Sequence, residues 1–240
     1  SIDAVIEMQR LRRDSQLQVP VQSLEPLQVS GFLMIGHLNI DGFQSHLEDL
    51  VKDEQFHKAD IMCITETHLK PYDEVKHEDD TLLFRKDRLV STKGGVLILV
   101  SKTTVGDAVR IKLPEMGTFE HCSCCATLTN QQQVNVTVIY RPPGSNKKTF
   151  LNELNTLLLM LNNKASVVVG DFNDDLCSGS FGVKEKMSKL GYSQVVMQPT
   201  TDYGSCLDHV YLKDMCHKGT LVKDIYYSDH DATFTNVIIN

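Results

Sequence analysis

The sequence predicts an α/β fold in which mixed or mostly antiparallel sheets carry their helices on the outside. Short apolar runs of strand length, such as Val96–Val100 and Val167–Val169, outnumber the segments with helical spacing. The predicted strands also follow one another in adjacent pairs, whereas a doubly wound parallel sheet needs a helix between successive strands. No apolar run approaches the roughly 18 residues that a membrane-spanning helix requires, so no membrane association is predicted.

The first part of the chain differs from the rest, and we predict an N-terminal arm or linker at residues 1–30 ahead of one domain at residues 31–240. Ile2–Leu17 has the spacing of a short amphipathic helix, and Pro20 and Pro26 interrupt the segment that follows. The first residue is not Met, so we expect the chain to be a piece of a longer protein.

From residue 31 onward, the predicted strands are runs of apolar and β-branched residues that end at polar or turn residues. In chain order they are Phe32–Asn39, Ile61–Thr65, Leu82–Arg85, Gly95–Ser101, Ala108–Leu113, His121–Leu128, Val134–Tyr140, Ser166–Gly170, His209–Leu212, Leu221–Tyr227 and Ala232–Ile239. Apolar residues that recur every three or four positions predict helices at Phe43–Phe56, Phe150–Leu161 and Lys184–Leu190.

Charge and cysteine content limit the classes of function. The net charge is −7, from 24 Lys+Arg against 31 Asp+Glu, whereas a non-specific nucleic-acid binder draws its affinity from a basic surface. The alternative is that part of the excess acid holds a divalent cation, which reverses the local charge. The 7 cysteines are odd in number and scattered, a pattern typical of free thiols in a reducing, intracellular compartment.

Polar side chains stand at the ends of several apolar strands. Asn39 and Asp41, Glu66, Tyr140 and Arg141, Asp171 and Asn173, and Asp229 with His230 each follow a predicted strand, and Asp208 precedes one. Strand ends at one edge of a sheet system converge, so these groups are predicted to share one cleft. Carboxylates suited to Mg²⁺, together with a histidine beside an acid, favour hydrolysis of a phosphate ester by activated water.

Six short motifs occur in a fixed order: Asn39-Ile40-Asp41-Gly42, Thr65-Glu66-Thr67, Tyr140-Arg141-Pro142-Pro143, Gly170-Asp171-Phe172-Asn173, Leu207-Asp208-His209-Val210 and Ser228-Asp229-His230. On these motifs, about residues 31–240 resemble the endonuclease/exonuclease/phosphatase superfamily. That resemblance implies a DNase I-like, four-layer α/β sandwich of two packed mixed β-sheets flanked by helices. Ile64–Leu69, Ile139–Gly144 and Gln198–Thr201 further resemble the endonuclease domains of non-LTR retrotransposons and of some Helitron-type elements.

The resemblance implies Mg²⁺ as cofactor, with Mn²⁺ as a substitute, at Glu66, Asn39 and Asp41. Asp41 is equally suited to capping the helix predicted from Phe43. Asp171 is expected to orient and deprotonate the attacking water.

The remaining implied roles concern the phosphate. Asn173, His230 and Tyr140 are expected to donate hydrogen bonds to it, and Asp208 completes the acid set. Asp229 is expected either to fix the tautomer of His230 or to contribute to the metal region.

Four more residues are candidates for binding the substrate. Thr200 or Thr201 would contact the nucleic-acid backbone, with a local hydroxyl turn as the alternative for both. Arg141 and Lys93 would contact phosphates, with ordinary surface solvation as the alternative. His209 replaces the residue types often seen after this aspartate in relatives, and we expect it to cap a core pocket.

The expected function is therefore a Mg²⁺-dependent DNA endonuclease domain of a mobile element, which leaves a 3′-hydroxyl and a 5′-phosphate and acts in the nucleus. Its expected partners are the target DNA and other domains of a parent polyprotein, while the oligomeric state stays open. The alternatives are another phosphoesterase of the same fold, acting on abasic sites, RNA tails or small phosphoesters, and a catalytically inactive nucleic-acid-binding relative. Because the net charge is negative, the whole surface does not attract DNA, and the DNA contacts are expected from the local basic segments Arg85–Arg88 and Lys147–Lys148.

Overall fold

The computed structural model describes residues 31–75, 80–89, 91, 93–161, 164–179 and 182–239. The predicted arm or linker at residues 1–30, with its helix at Ile2–Leu17, lies outside the described residues. In chain order the elements are β1 (Gly31–Asn39), α1 (Leu47–Lys52), α2 (Glu54–Lys58), β2 (Ile61–Thr65), β3 (Thr81–Lys86), β4 (Val96–Ser101), β5 (Asp107–Arg110), β6 (Glu120–Thr127), β7 (Gln133–Tyr140), α3 (Lys147–Met160), β8 (Ala165–Asp171), a 3₁₀ turn (Leu176–Ser178), α4 (Gly182–Lys189), β9 (Ser193–Gln194), β10 (Asp208–Lys213), β11 (His217–Lys223) and β12 (Ala232–Ile239).

The strands form two six-stranded sheets, with orders β11-β12-β1-β2-β4-β3 and β5-β6-β7-β8-β10-β9. The pairs β1–β2 and β7–β8 run parallel. The other neighbouring pairs run antiparallel. Both sheets are therefore mixed, as the sequence predicts.

Burial of the apolar residues produces four layers. One cluster, which includes Ile35 from the first sheet and Val136 from the second, fills the space between the two sheets. A second cluster lies between α1, α2 and the first sheet, and a third lies between α3, α4 and the second sheet. Each sheet thus buries both faces, which explains why its central strands read as nearly continuous apolar runs. None of the helices described is long and apolar enough to cross a membrane.

Helix α3 begins three residues before its predicted start because Asn146 caps it. The Asn146 side chain accepts a hydrogen bond from the Thr149 backbone N–H at 3.0 Å, which satisfies a donor that has no partner within the helix. Phe150, Leu154 and Leu157 recur at helical spacing and are buried against the second sheet.

The single helix predicted over Phe43–Phe56 is wrong, since the segment holds two short helices. The chain extends at Asp53, whose carboxylate accepts a hydrogen bond from the Gln55 N–H at 2.9 Å and so starts the second helix. The apolar spacing continues across this break because both helices pack on the same face of the sheet.

The strand predicted at Leu221–Tyr227 is also displaced, since β11 spans His217–Lys223. Ile225 is buried in a turn region, so its apolar character comes from packing and not from a strand. As a result, Ser228–His230 does not end a strand but leads into β12. Because β12 is antiparallel to β1, its beginning lies beside the polar end of β1.

Candidate active site

Strand register places the candidate site residues at one end of the sandwich, where the two sheets meet. Asn39 is level with Thr65 in the parallel pair β1–β2, so Glu66 follows directly beside it. In the second sheet, Tyr140 is level with Asp171, and Asp171 is level with Asp208. The strand-end polar groups therefore lie close together, as predicted.

Asn39 joins the two sheets through its side-chain amide. It donates to Glu66 Oε2 at 3.1 Å in its own sheet and to Asp171 Oδ2 at 2.9 Å in the other. Its oxygen accepts from the Asp41 N–H at 3.2 Å. Glu66 also accepts from the Tyr140 hydroxyl, at 2.8 Å. With its amide and oxygen engaged in this way, Asn39 orients both carboxylates.

The Asp171 carboxyl has the electrostatics of a proton acceptor. Burial, followed by the nearby Asp208 charge, raises its pKa to about 7, although the His230 charge and hydrogen bonds from Asn173 and Asn39 oppose this. A carboxylate with a pKa near neutrality combines a useful ionised fraction with useful basicity. Asp171 is almost completely buried, and its Oδ2 lies 3.9 Å from His230 Nε2.

Asp208 holds His230 through a short hydrogen bond of 2.8 Å between Oδ2 and Nδ1. Burial favours neutral His230, but the Asp208 charge and hydrogen bond outweigh it and raise the pKa to about 10, helped by Asp171 and Asp229. Burial likewise opposes ionisation of Asp208, yet the two contacts with His230 leave the pKa of Asp208 below its usual value. The pair is therefore ionic at neutral pH, with Nε2 of His230 as a charged donor.

Thr200 and Thr201, which the sequence does not separate, have different surroundings. The Thr200 hydroxyl donates to Asp208 Oδ2 at 2.7 Å and accepts from the N–H groups of Leu207 and Asp208, each at 3.1 Å. Thr201 contacts Ser205 through its hydroxyl and forms a backbone bridge with His230. Thr200 thus orients Asp208, whereas Thr201 forms the local hydroxyl turn expected as the alternative.

His37 is a buried residue of this site that sequence reasoning did not select. Its Nε2 lies 3.2 Å from the Thr65 hydroxyl, and its Nδ1 lies 3.6 Å from Asp208 Oδ1. Burial, despite the opposing Asp208 charge, lowers its pKa to about 4. Its position two residues before Asn39 on β1 was the available signal, because alternate residues of a strand share one face.

Among the described residues, three groups of side chains have the composition and spacing to hold a metal ion, and two of the three contain predicted site residues: Asp171, Asp208 and His230, and Asp41, Glu66 and His68. The first group is joined internally by the bond between Asp208 and His230. In the second, Nε2 of His68 is buried without a hydrogen-bond partner and lies 3.6 Å from Asp41 Oδ1. A divalent cation fits this second donor set. His68 was also missed; it lies in the loop after β2, two residues beyond Glu66, where the alternation of a strand does not apply.

Asp229 and Asn173 lie at the site, but their contacts differ from the roles expected for them, which were to fix the His230 tautomer and to bind the phosphate. Asp229 is exposed, and Asp208 rather than Asp229 makes the hydrogen bond to the His230 ring, so the expected tautomer-fixing role falls to Asp208. The Asn173 amide donates to the Arg141 carbonyl at 2.7 Å, and its N–H donates to Asp171 Oδ1 at 3.0 Å. Asn173 therefore contributes first to the shape of the loop after β8.

Arg141 and Lys93 lie in contrasting environments. The Arg141 guanidinium is buried, donates to the carbonyls of Phe172 and Asn173 at 3.3 Å each, and lies over the Phe150 ring. These inward contacts make it a support of the loop after β8 rather than a phosphate contact. Lys93 is exposed, and the next residue, Gly94, accepts from the His68 N–H at 2.8 Å.

His209 caps a core pocket, as predicted. It is fully buried and stacks on Phe172 with 4.8 Å between ring centroids. Its two nitrogens lie 2.9 Å from the Tyr211 hydroxyl and 2.8 Å from the Asp174 carbonyl.

Known structures share this fold. The endonuclease domain of TRAS1, a telomere-specific non-LTR retrotransposon, aligns with a TM-score of 0.68 and 18% identity over 86% of this chain and 98% of that one. The human Nocturnin catalytic domain aligns with a TM-score of 0.64 and 13% identity over 87% and 94% of the two chains. An AP endonuclease from Archaeoglobus fulgidus aligns with a TM-score of 0.62 and 16% identity over 85% of this chain and 98% of that one.

The sequence itself carries the family assignment. No curated protein matches the chain. The model of the Endonuclease/Exonuclease/phosphatase family matches residues 36–230, a range that contains the strand-end polar residues from Asn39 to His230. The chain belongs to the endonuclease/exonuclease/phosphatase family.

Proposed function

We propose that the protein is a Mg²⁺-dependent DNA endonuclease domain of a mobile element. It hydrolyses one phosphodiester bond of a DNA strand with water and leaves a 3′-hydroxyl and a 5′-phosphate. The observation that carries the proposal is the continuous set of contacts from Glu66 through Asn39 to Asp171, which places a carboxylate of raised pKa beside the Asp208–His230 pair.

Asp171 is the proposed general base. Its Oδ2 is oriented by Asn39 and is close to His230, and its pKa of about 7 makes it an effective acceptor near neutral pH. The water oxygen forms a new bond to phosphorus while its proton passes to Asp171. The bond from phosphorus to the 3′ oxygen breaks, and that oxygen takes up a proton to become the 3′-hydroxyl.

His230 is the proposed donor to the phosphate. With a pKa of about 10, it carries a proton on both nitrogens at neutral pH. Asp208 binds Nδ1, so Nε2 stays available for an oxygen on which negative charge grows in the transition state. Thr200 holds Asp208 in place, and we assign Thr200 this positioning role.

The Asp41, Glu66 and His68 side chains are the proposed metal-binding group, with Asn39 and Tyr140 orienting Glu66. A divalent cation there would supply positive charge that stabilises the negative charge growing on the phosphate oxygens. The family as a whole depends on divalent metals, which supports this assignment. Asp229, Asn173 and Lys93 remain candidates for contacts with the metal region or the phosphate.

DNA from a mobile-element insertion site is the proposed substrate because two independent features agree. The motifs around Glu66, Tyr140 and Thr200 are similar to those of mobile-element endonucleases. The fold is similar to that of a retrotransposon endonuclease domain over most of both chains. Other domains of a parent polyprotein and the nucleus are the proposed partners and place of action.

A nicking assay with end-group analysis tests this function. Supercoiled plasmid is incubated with the chain and either Mg²⁺ or EDTA, and each nick is then probed with a polymerase, which extends only a 3′-hydroxyl. We expect open-circular product with Mg²⁺ alone and direct extension of every nick.

Parallel reactions contain a polyadenylated RNA, a duplex with one abasic site and a small phosphodiester. Faster hydrolysis of any of these than of intact plasmid would replace the proposed substrate with that one. Retained DNA binding without hydrolysis of any substrate would indicate the inactive relative.

A further inference from the structure

A nitrogen atom without a partner lies between two carboxylates at the edge of the candidate site. His68 Nε2 is 3.6 Å from Asp41 Oδ1 and 3.8 Å from Glu66 Oε1, too far for a hydrogen bond to either. The atom is buried and makes no other hydrogen bond. One donor atom from each of the three residues lies within 4.8 Å of the others, which is the spacing of ligands around one ion.

The backbone holds these three side chains in place. Asp41, Glu66 and His68 each have a positive φ, of 45°, 53° and 56°, a conformation that residues other than glycine adopt at a cost. The loop of Asp41 is tied to that of Glu66 by the hydrogen bond from the Gly42 N–H to the Glu66 carbonyl, at 2.9 Å. His68 is fixed from its other side by the Gly94 carbonyl, at 2.8 Å.

The chemistry of the donors indicates which ion the site prefers. Mg²⁺ selects oxygen ligands and keeps several waters. Mn²⁺ shares the preference for carboxylate oxygen, but as a transition-metal ion it also accepts an imidazole nitrogen beside the carboxylates. We propose that His68 is a direct metal ligand through Nε2, with Asp41 and Glu66, and that the site consequently binds Mn²⁺ more tightly than Mg²⁺. This inference rests on the proposed function, because it concerns the ion used in the proposed reaction.

The test measures the metal directly and needs no substrate. Mn²⁺ is titrated into the metal-free chain while electron paramagnetic resonance records free ion, and spin-echo modulation reports any nitrogen bound to the ion. We expect nitrogen coupling in the wild type, and its replacement by ¹⁵N coupling after ¹⁵N-histidine labelling, a step that changes no residue.

Three variants identify the nitrogen. His68→Gln should lose the coupling and bind Mn²⁺ about tenfold more weakly, while its Mg²⁺ affinity changes much less. The control is His217→Gln, because His217 is exposed at the end of β11 that lies opposite the site. Coupling should persist in this control and in His230→Gln, which removes the histidine of the Asp171, Asp208 and His230 group.

Bound Mn²⁺ without nitrogen coupling in the wild type would overturn the inference. Unchanged coupling and affinity in folded His68→Gln would also overturn it and would leave a phosphate contact as the role of His68. The proposed function is tested separately. If the chain shows nitrogen coupling but nicks no DNA, His68 is still a metal ligand and the endonuclease function is rejected.

Discussion

Asp208 lies between two histidines, His230 and His37, whose pKa values are shifted in opposite directions. His230 is hydrogen-bonded to one carboxylate oxygen at 2.8 Å, and its pKa rises to about 10. His37 is 3.6 Å from the other oxygen and completely buried, and its pKa falls to about 4. One carboxylate therefore serves a cationic ring and a neutral ring, because a close hydrogen bond outweighs desolvation whereas a longer contact does not.

Asp208→Asn should move both limbs of the pH–rate profile to lower pH. Activity needs ionised Asp171, so it rises through about pH 7, and it needs protonated His230, so it falls through about pH 10. The Asp208 charge raises both pKa values, and removing it should shift the alkaline limb down by about 1–3 units. The profile is measured at one fixed metal concentration, with exposed Asp107→Asn as control. Unmoved limbs in Asp208→Asn would contradict these proton assignments.

Replacements of His37 should separate its contact with Thr65 from its packing. His37→Leu removes the contact between Nε2 and the Thr65 hydroxyl at 3.2 Å and leaves that buried hydroxyl unpaired, and we expect a loss of about 1–3 kcal/mol in the free energy of unfolding. His37→Gln carries a side-chain amide that can reach the Thr65 hydroxyl, so it should retain part of that stability. Urea unfolding measures both variants, and equal losses would show that His37 acts through packing alone.

Sequence reasoning recovered the strand-end acids and His230 because apolar strands end abruptly in polar residues there. It missed His37 and His68 because a lone histidine beside apolar residues carries no pattern of its own. It also assigned the His230 tautomer partly to Asp229, the sequence neighbour, although the contact comes from Asp208 on another strand. Contacts between residues distant in sequence depend on the packing of the two sheets, which spacing along one strand does not encode.

Gly170 on β8 lies against the Ile139 backbone of β7 in a way that leaves no room for a side chain just before Asp171. Gly170 has a φ of 152°, and a Cβ atom there would lie 1.8 Å from the Ile139 carbonyl oxygen. Only glycine fits this position without movement of the backbone, and the next residue is the proposed base. The close approach thus sets the position of Asp171 relative to Tyr140 in the parallel pair.

Gly170→Ala should destabilise the protein and misplace Asp171. Overlap with the carbonyl and backbone strain together should cost about 2–6 kcal/mol in the free energy of unfolding. Gly144→Ala is the matched control, because Gly144 also has a positive φ, of 79°, but a Cβ atom added there would meet no other atom within 4 Å. Thermal unfolding compares the two, and equal losses would mean that the close approach to Ile139 is unimportant.

Most strands were predictable from sequence because each sheet is buried on both faces. A strand in such a sheet is a continuous apolar run, and polar residues mark its two ends. β2 and β12 match their predicted bounds, Ile61–Thr65 and Ala232–Ile239. The strand predicted at Ala108–Leu113 ends early, at Arg110. Two larger failures, at Phe43–Phe56 and Leu221–Tyr227, have one cause. Ile225 is buried against the first sheet, and so are the apolar residues of α1 and α2. Apolar spacing alone does not distinguish such packing from a continuous helix or strand.

Across the whole molecule, many cations near the site are already paired within the chain. Lys86 contacts Glu115 at 2.8 Å, Lys147 contacts Asp174 at 2.5 Å, and Arg88 contacts Glu120. Arg85 contacts Asp87 at 3.1 Å. The basic segments expected to contact DNA are therefore largely neutralised, and the net charge is −7.

DNA binding by this chain should consequently be weak and should depend on few phosphate contacts. Each contact contributes about −0.9 to the slope of log affinity against log salt concentration. Lys93→Ala should reduce that slope by about 1, because Lys93 is exposed beside the loop of His68. Anisotropy of a labelled duplex measures the slope in the Asp171→Asn background. Lys218→Ala, a substitution on β11 at the opposite end of the sandwich, is the control, and an equal change there would reject a local role for Lys93.

In the proposed reaction, Asp171 accepts the proton of the attacking water. The most direct measurement is the single-turnover nicking rate of supercoiled plasmid for the wild type, Asp171→Asn and the control Asp107→Asn, at equal metal and DNA occupancy. We expect the nicking rate to fall about 10²–10⁴-fold in Asp171→Asn and to stay unchanged in the control. Nicking by folded Asp171→Asn at the wild-type rate would contradict this role of Asp171.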